Sequence, residues 1–468
     1  MLYLTILIVY SLAQIALGLW VGRRVHGSSD FFVAGRRLGG GLLFATFLAA
    51  NIGGGSTIGA TGLGYRDGLA AWWWVGSAGI GSILLAFWVG PAIRRFAARH
   101  DLRTVGDFLE WRYDRRVRAT ISLLLWVGSL AILAGQLIAL SRVLDVIVGV
   151  PKPVGCIIGG LVVTTYFAAG GLLSSAVVNV VQLSVKVLGF AIALPLALQV
   201  VGGFSGLHTR LHDPQMWDFW QNGSSGWVYM AMLMPAFVVS PGLLQKVYGA
   251  RDDRTVRIGV GLNAAALLVY GFAPALLGMI ARALHPALAN QELALPVLFM
   301  QDLPVWVGGL GLAAVFSAEV SAADAILFML ATSLSQDLYK RFVNPGASDV
   351  RVLRVARMAS AAGGVLGVVL AIVSQTVVGA LSIFYTLLGV SLFVPVVAGL
   401  YTRRPGAAEA LAAIGGGVAM VVAAEFGFGG QRIAGLTPPM LGLAAAVLAF
   451  VLVMATRRMG PPVVKSEF

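Results

Sequence analysis

Apolar segments of about 20 residues recur along the whole chain, and each is long enough to cross a bilayer as a helix. Thirteen such segments are present, at 2–22, 41–64, 68–93, 119–149, 153–170, 173–202, 226–248, 257–283, 303–336, 352–374, 377–401, 408–428 and 438–456. Only 11% of the residues are charged, whereas a soluble domain carries about 25%. The sequence therefore predicts an all-α polytopic membrane protein of about thirteen transmembrane helices, without a soluble domain.

Lysine and arginine are distributed unevenly between alternate loops. One side carries 26 of the 33 basic residues and the other carries five, while the remaining two fall within spans. The positive-inside rule places the N-terminus outside and the C-terminus in the cytoplasm, so we expect a multi-pass protein of the cytoplasmic (plasma) membrane. The net charge of +13 then reflects topology and contact with lipid, and no nucleic-acid partner is expected.

Two further features concern the ends of the membrane spans. The first segment begins at Met1 without a basic region or a cleavage site, which favours a retained helix over a signal peptide. The loop at 94–118 has apolar residues at helical spacing. It predicts an amphipathic helix on the cytoplasmic face, with its charges on a solvated, lipid-facing surface.

Two carboxylates, Glu319 and Asp324, lie within an apolar segment at 309–342. A charge at bilayer depth costs roughly 3–10 kcal/mol and is tolerated beside a wet cavity or a partner, where it marks an ion or substrate pathway. The five histidines lie in loops or at span ends without metal-ligand spacing, so no metal centre and no catalytic residue is predicted. The pattern indicates a protein that moves solutes.

Two spans contain signals that break a helix. In the second span, Gly53, Gly54 and Gly55 follow one another, and each costs about 1 kcal/mol of helix propensity relative to alanine. In the seventh, Pro235 and Pro241 each lack a backbone donor. Breaks near 53 and 238 are five spans apart, which is typical of inverted-repeat transporters with a binding site at the membrane midplane.

The chain resembles the sodium/solute symporter family, which includes sodium-coupled glucose, proline and sialic acid transporters. The motifs that carry the resemblance are DFFVAGR (30–36), ANIGGGSTIG (50–59), TVGDFLEWRY (104–113), AAGGLLSSAVVNVVQ (168–182), LLQKVYGA (243–250) and SAADAILFMLATSLSQDLYKRF (321–342). The resemblance implies a five-plus-five inverted-repeat core, like that of LeuT, which works by alternating access. One transporter domain over 1–468 would comprise an extra helix and loop (1–40), two repeats (41–202 and 226–402) and two C-terminal helices with a short tail (403–468).

The resemblance also implies a sodium site. Family members bind sodium through main-chain carbonyls of the broken second span together with one carbonyl and two hydroxyls of the ninth. The matching positions are Ala49, Ile52, Ala318, Ser321 and Ala322. Oxygen ligands suit such a hard cation, but Ala322 has no hydroxyl, so this chain departs from the family pattern. A bound Na⁺ is the one ion expected, and no organic cofactor is expected.

Four residues are candidates for ion or proton coupling: Asn179, Lys186, Glu319 and Asp324. Many family members have an aspartate at the position of Asn179, whereas here Asp324 replaces one of the matching hydroxyl residues. Lys186 follows Asn179 by two helical turns on the same face and requires a counter-ion, for which Glu319 or Asp324 is suitable. Three interpretations remain open: a static ion pair, proton coupling, and a modified sodium site.

Substrate contacts in the family come from the broken helices and their neighbours. The matching candidates here are Asn51, Gly55, Ser56, Phe237 and Ser240, with Tyr385 and Thr386 as part of a gate. Trp72, Trp73 and Trp74 are interpreted as an interfacial anchor. Gln245 and Lys246 are expected to stabilise the end of their helix and not to contact the substrate.

The predicted function is secondary active symport of a small polar organic solute, coupled to a cation, with sodium as the favoured ion. An alternative is a proton-coupled or sodium-independent transporter that uses Lys186 and Asp324. A second alternative is a transporter-like sensor, which would need a signalling partner. An enzyme is disfavoured because Glu319 and Asp324, five residues apart on a helix, point about 140° away from each other.

Overall fold

The computed structural model describes residues 2–22, 38–168, 171–220 and 224–456. Within these ranges the chain is helical, and extended residues pair only in two isolated bridges, Leu38 with Ala250 and Ile433 with Leu436. The motif at 30–36 lies outside the described residues. The predicted helical class is therefore what the described chain adopts.

The helices of the first half are α1 (Leu2–Gly22), α2 (Gly40–Asn51), α3 (Ala60–Asp67), α4 (Trp72–Leu84), α5 (Gly90–Arg99), α6 (Val105–Arg112), α7 (Arg115–Val148), α8 (Lys152–Ala168), α9 (Gly171–Val200) and α10 (Gly203–Arg210). Those of the second half are α11 (Ser224–Val239), α12 (Pro241–Tyr248), α13 (Asp253–Tyr270), α14 (Phe272–Leu284), α15 (Ala294–Val297), α16 (Val305–Thr332), α17 (Asp349–Val373), α18 (Val377–Tyr401), α19 (Ala407–Val422) and α20 (Pro438–Thr456). Wider, π-helical turns occur at Gly55–Gly59, Leu85–Val89, Leu298–Asp302, Ser333–Val343 and Ala423–Gly427.

Among the described residues, ten helical stretches are long and apolar enough to cross a membrane, and three shorter apolar helices accompany them. Each of the thirteen apolar segments found in the sequence is helical over most of its described length. The number of helices that cross the bilayer stays a prediction, because the ten stretches are identified by length and composition alone.

The second span is interrupted where the three glycines predict it. Helix α2 ends at Asn51, Ile52 adopts an extended conformation (φ −91°, ψ 92°), and the chain turns helical again at Gly55. Close packing explains why glycine is needed here: a Cβ on Gly53 would lie 2.4 Å from the Cβ of Ala322. At the break, backbone groups therefore lie directly against α16.

The second predicted break also occurs. Helix α11 ends at Val239, Ser240 leaves the helical conformation (φ −54°, ψ 122°), and Pro241 begins α12 at a position where its missing N–H costs no hydrogen bond. Pro235 lies inside α11 without ending it. The interruption is thus at residue 240, two residues beyond the predicted position.

Helix α16 runs through the centre of the bundle and carries both predicted carboxylates. It packs against α9, α7, α17 and α2, and nearly all of its residues are buried. Glu319 and Asp324 are consequently enclosed by protein, with 0% and 2% of their surfaces exposed.

The loop at 94–118 contains a short helix, α6, as predicted. Thr104 begins it by accepting a 3.0 Å hydrogen bond from the N–H of Asp107. The expectation that the charges of this loop face lipid and solvent was wrong for Arg118, which is 5% exposed and donates to Asp337 at 2.7 Å. A buried guanidinium needs such a partner, since isolated buried charge is costly.

The basic loops assigned to one side of the membrane meet at one end of the bundle. Arg94 donates to Asp253 at 2.6 Å, and Arg112 donates to the carbonyl oxygen of Pro405 at 2.9 Å. Arg341 donates from both Nε and Nη2 to the carboxylate of Glu110. Loops that alternate along the sequence are therefore neighbours in space, in agreement with the charge-based grouping.

Candidate functional site

A cavity lies between the two helix breaks and is walled by α2, α4, α7, α11, α12, α16 and α18. Its lining includes six of the seven predicted substrate candidates: Asn51, Gly55, Ser56, Phe237, Ser240 and Tyr385. Thr386, the seventh, is buried on α18 and lies outside this lining. The breaks thus bring most of the candidate residues together around one space.

Aromatic rings form part of the cavity wall. Tyr385 packs on Phe237 with ring centroids 5.5 Å apart, and Trp74 meets Tyr385 edge to face at 6.1 Å. Trp74 also contacts Tyr229 at 5.5 Å. Such a wall offers apolar surface to the carbon skeleton of a bound solute.

The interfacial-anchor interpretation of the tryptophan triplet was wrong. Trp72, Trp73 and Trp74 are 9%, 5% and 3% exposed. The indole N–H of Trp72 donates to the carbonyl oxygen of Leu268, and that of Trp73 donates to the carbonyl oxygen of Phe219. Buried indoles with internal hydrogen-bond partners stabilise the packing of α4 instead of anchoring it at the lipid surface.

Hydrogen bonds from side chains hold the first break open. The hydroxyl of Ser56 donates to the carbonyl oxygen of Asn51 at 2.9 Å and accepts from the N–H of Gly53 at 3.0 Å. The N–H of Gly54 donates to the side chain of Gln136 on α7 at 2.6 Å. Gln136 was not among the predicted residues, although it is a polar side chain in the middle of an apolar span.

Lys186 lies among the residues that the family resemblance assigns to sodium. Its Nζ donates to the carbonyl oxygens of Ala49 at 2.7 Å and Ile52 at 3.0 Å, and to the hydroxyl of Ser321 at 2.5 Å. The Ser321 hydroxyl in turn contacts the carbonyl oxygens of Ala49 and Ala318 at 2.8 and 3.2 Å. Lys186 is fully buried, and it joins α9 to both α2 and α16.

Glu319 is the carboxylate that interacts electrostatically with Lys186. Thr57 donates a hydrogen bond of 2.7 Å to its Oε1, while Oε2 has no hydrogen-bond partner in the described part of the chain. Of the two counter-ions considered from the sequence, Glu319 is the one that influences Lys186 electrostatically, without a direct ion pair between them in the described residues.

Asp324 interacts electrostatically with a different lysine, Lys246 on α12. The Nζ of Lys246 also donates to the carbonyl oxygen of Thr46 at 2.7 Å. Lys246 lines the cavity, so the expectation that it only stabilises a helix end was too narrow. The two carboxylates thus interact with different lysines, in keeping with their angular separation on α16.

One candidate cannot be placed at the level of its side chain. Asn179 belongs to α9, but its side chain lies outside the described residues. The proposed exchange of an acid between Asn179 and Asp324 therefore stays a prediction from the sequence.

Known proteins resemble this chain over most of its length. The model of the sodium:solute symporter family matches residues 31–417. The chain is 27% identical over 453 residues to the sodium/pantothenate symporter of Escherichia coli (strain K12), covering 90% of this chain and 89% of that protein. It is 26% identical over 397 residues to the sodium/glucose cotransporter of Vibrio parahaemolyticus, covering 75% and 71% of the two chains.

Solved structures share the fold. A Na⁺-coupled sialic acid symporter in a substrate-bound, outward-open state superposes with a TM-score of 0.82 at 20% identity, covering 98% of each chain. A nucleobase-cation-symport-1 family transporter in a closed conformation gives a TM-score of 0.54 at 16% identity over 92% and 94% of the two chains. The predicted class, an all-α polytopic protein with a LeuT-like core, is confirmed.

Proposed function

The chain belongs to the sodium:solute symporter family, and from this premise we propose that it carries a small polar organic solute through the cavity between its two helix breaks. It is a multi-pass membrane protein and a secondary active symporter, not an enzyme. Family membership confirms the sequence-based prediction of cation-coupled symport, with sodium as the coupling ion. We also propose the class of solute, the residues that bind it and the orientation of the protein in the membrane.

The observation that carries the proposal is the position of the cavity at both breaks. Interrupted helices present backbone groups that a continuous helix would use internally, and these groups can contact a solute near the membrane midplane. Asn51, Ser56 and Ser240 add polar side chains, while Trp74 and Tyr385 add aromatic surface. Such a lining suits a solute that combines a carbon skeleton with several polar groups.

Two relatives and one related structure support a polar organic solute without specifying which one. Pantothenate and glucose are named for the two relatives described above, and sialic acid for the related structure. All three are small organic molecules with several oxygen-bearing groups. Sequence identities of 20–27% do not transfer a particular substrate to this chain.

The charge distribution and the two breaks suggest an orientation in the membrane and a division of the chain into two repeats. We place the protein in the cytoplasmic membrane with the N-terminus outside and the C-terminus inside, because the basic loops that share one end of the bundle would then face the cytoplasm. The two repeats are proposed to span 41–202 and 226–402, each containing one of the two breaks.

The experiment that tests the proposed function is a solute screen on the purified protein. Thermal unfolding is measured against a library of small polar solutes, in sodium chloride and in potassium chloride of equal ionic strength. A solute that binds the native protein and not the unfolded chain raises the Tm. We expect at least one solute to do so.

A pair of variants assigns that effect to the cavity. Ala325→Phe places a ring in the lining, whereas Leu310→Phe places the same ring at a half-buried position of α16 away from the cavity. The solute should stabilise the wild-type protein and Leu310→Phe but not Ala325→Phe. Equal stabilisation of all three proteins would remove the cavity from the proposal.

A further inference from the structure

The three protons of the Lys186 ammonium match three acceptors at the first break. A lysine ammonium offers three donors and accepts nothing. Here it meets the carbonyl oxygens of Ala49 and Ile52 and the hydroxyl of Ser321, at 2.5–3.0 Å. Each N–H of the ammonium therefore has one acceptor.

The same residues fit sodium poorly. The family resemblance assigns five ligands to the ion, and the fifth, a hydroxyl, is missing because residue 322 is alanine. Three of the remaining four oxygens already contact Lys186. A sodium ion at this position would lie within a few ångströms of a buried ammonium, where repulsion between like charges is strong.

A carboxylate of the same chain also balances the positive charge of Lys186. Glu319 interacts electrostatically with Lys186 and is oriented by the 2.7 Å hydrogen bond from Thr57. Thr57 lies in the turn that restarts the broken helix, so the counter-charge and the ammonium are both tied to the break. Lys246, the other nearby cation, has Asp324 as its own partner.

We propose that Lys186 takes the place of sodium at the first helix break, as a cation attached to α9 that links the carbonyl groups of α2 to α16. The inference rests on the proposed function and adds a property to the same site. Any sodium that drives uptake would then bind at another position of the chain. The occupant of this position stays with the protein throughout the transport cycle.

The test compares the sodium response of four proteins. They are the wild type, Ala322→Ser, the charge-neutral pair Lys186→Met with Glu319→Gln, and that pair combined with Ala322→Ser. The measurement is the Tm as a function of sodium chloride, with potassium chloride keeping the ionic strength constant. It needs no solute, so failure of the proposed function does not affect it.

Each protein has an expected result. Ala322→Ser should leave the sodium response of the wild type unchanged, because the ammonium occupies the site. The charge-neutral pair should gain a sodium-dependent rise in Tm, since the freed carbonyl oxygens can accept the ion. Adding Ala322→Ser to that pair restores the fifth ligand and should lower the half-saturating sodium concentration on the order of tenfold.

Two results would overturn the inference. One is a lower half-saturating sodium concentration for Ala322→Ser in the presence of Lys186, which would mean that the ion binds beside the lysine. The other is a charge-neutral pair that folds and shows no added response to sodium. If the pair does not fold, the comparison of wild type with Ala322→Ser decides alone.

Discussion

Thr57 donates a hydrogen bond of 2.7 Å to Glu319 and so joins the restart of the broken helix to the centre of α16. Both residues are fully buried. Because Glu319 interacts electrostatically with Lys186, this hydrogen bond links the break to the carboxylate near the buried ammonium. The stability of the site should therefore depend on it.

Replacing Thr57 with valine keeps the shape of the side chain and removes the donor. We expect Thr57→Val to destabilise the protein by about 1–3 kcal/mol, since a buried carboxylate oxygen loses its partner. Thr61→Val is the matched control, because the Thr61 hydroxyl is buried without a hydrogen-bond partner in the described chain. Thermal unfolding should show a lower Tm for the first variant only; equal losses would contradict a specific role for the bond.

Lys246 and Asp324 should behave as a coupled pair. Asp324→Asn leaves a buried ammonium without its anion, which costs about 3–5 kcal/mol when a buried pair is broken. The double variant Asp324→Asn with Lys246→Met removes both charges and should be more stable than Asp324→Asn alone. A double-mutant cycle on the unfolding free energies measures this, and simple additivity of the two changes would argue against the pairing.

Glu110 should make stability depend on pH at the end of the bundle where the basic loops meet. Burial raises the pKa of its carboxyl, but the contacts from Arg341 and Arg118 outweigh this and leave the pKa below its usual value. A lowered native pKa stabilises the protein above the ordinary carboxyl pKa, and the stabilisation is lost as the pH falls towards the lowered value. Glu110→Gln should therefore lower the Tm at neutral pH, and the difference from wild type should shrink in acid.

Glu425→Gln provides the comparison for that prediction, because Glu425 is an exposed carboxylate. Its Tm should follow the wild type across the same pH range. A loss in Glu110→Gln that is constant with pH would show that the arginine contacts do not depend on the charge of Glu110.

Orientation can be tested with the single native cysteine removed. In a Cys156→Ser background, His212→Cys and Ser348→Cys place thiols at exposed positions of loops assigned to opposite sides. A membrane-impermeant thiol reagent added to intact cells should label His212→Cys, and should reach Ser348→Cys only after permeabilisation. The reverse pattern would invert the proposed topology.

Local sequence signals were sufficient to locate the helix breaks and most of the cavity. The three glycines at 53–55 and Pro241 alter backbone preferences within a few residues, so their effect is visible without a tertiary structure. The family resemblance then identified Ala49, Ile52 and Ser321, which the structure brings to a single point around Lys186.

Pairing between distant segments was less predictable. Lys246 and Asp324 are 78 positions apart in the sequence, and the charge on Lys246 resembled one at the end of a helix. The burial of Trp72 and Trp73 depends on packing against Phe219, a residue of a distant loop. Such contacts depend on how helices are arranged, which hydropathy does not encode.

The measurement that tests the central claim most directly is uptake of the solute found in the screen, by liposomes that contain the purified protein. With an inward ion gradient, the wild type and Leu310→Phe should accumulate the solute above its external concentration, and Ala325→Phe should not. Accumulation by Ala325→Phe equal to that of the wild type, or no accumulation by the wild type under any imposed ion gradient, would contradict the account.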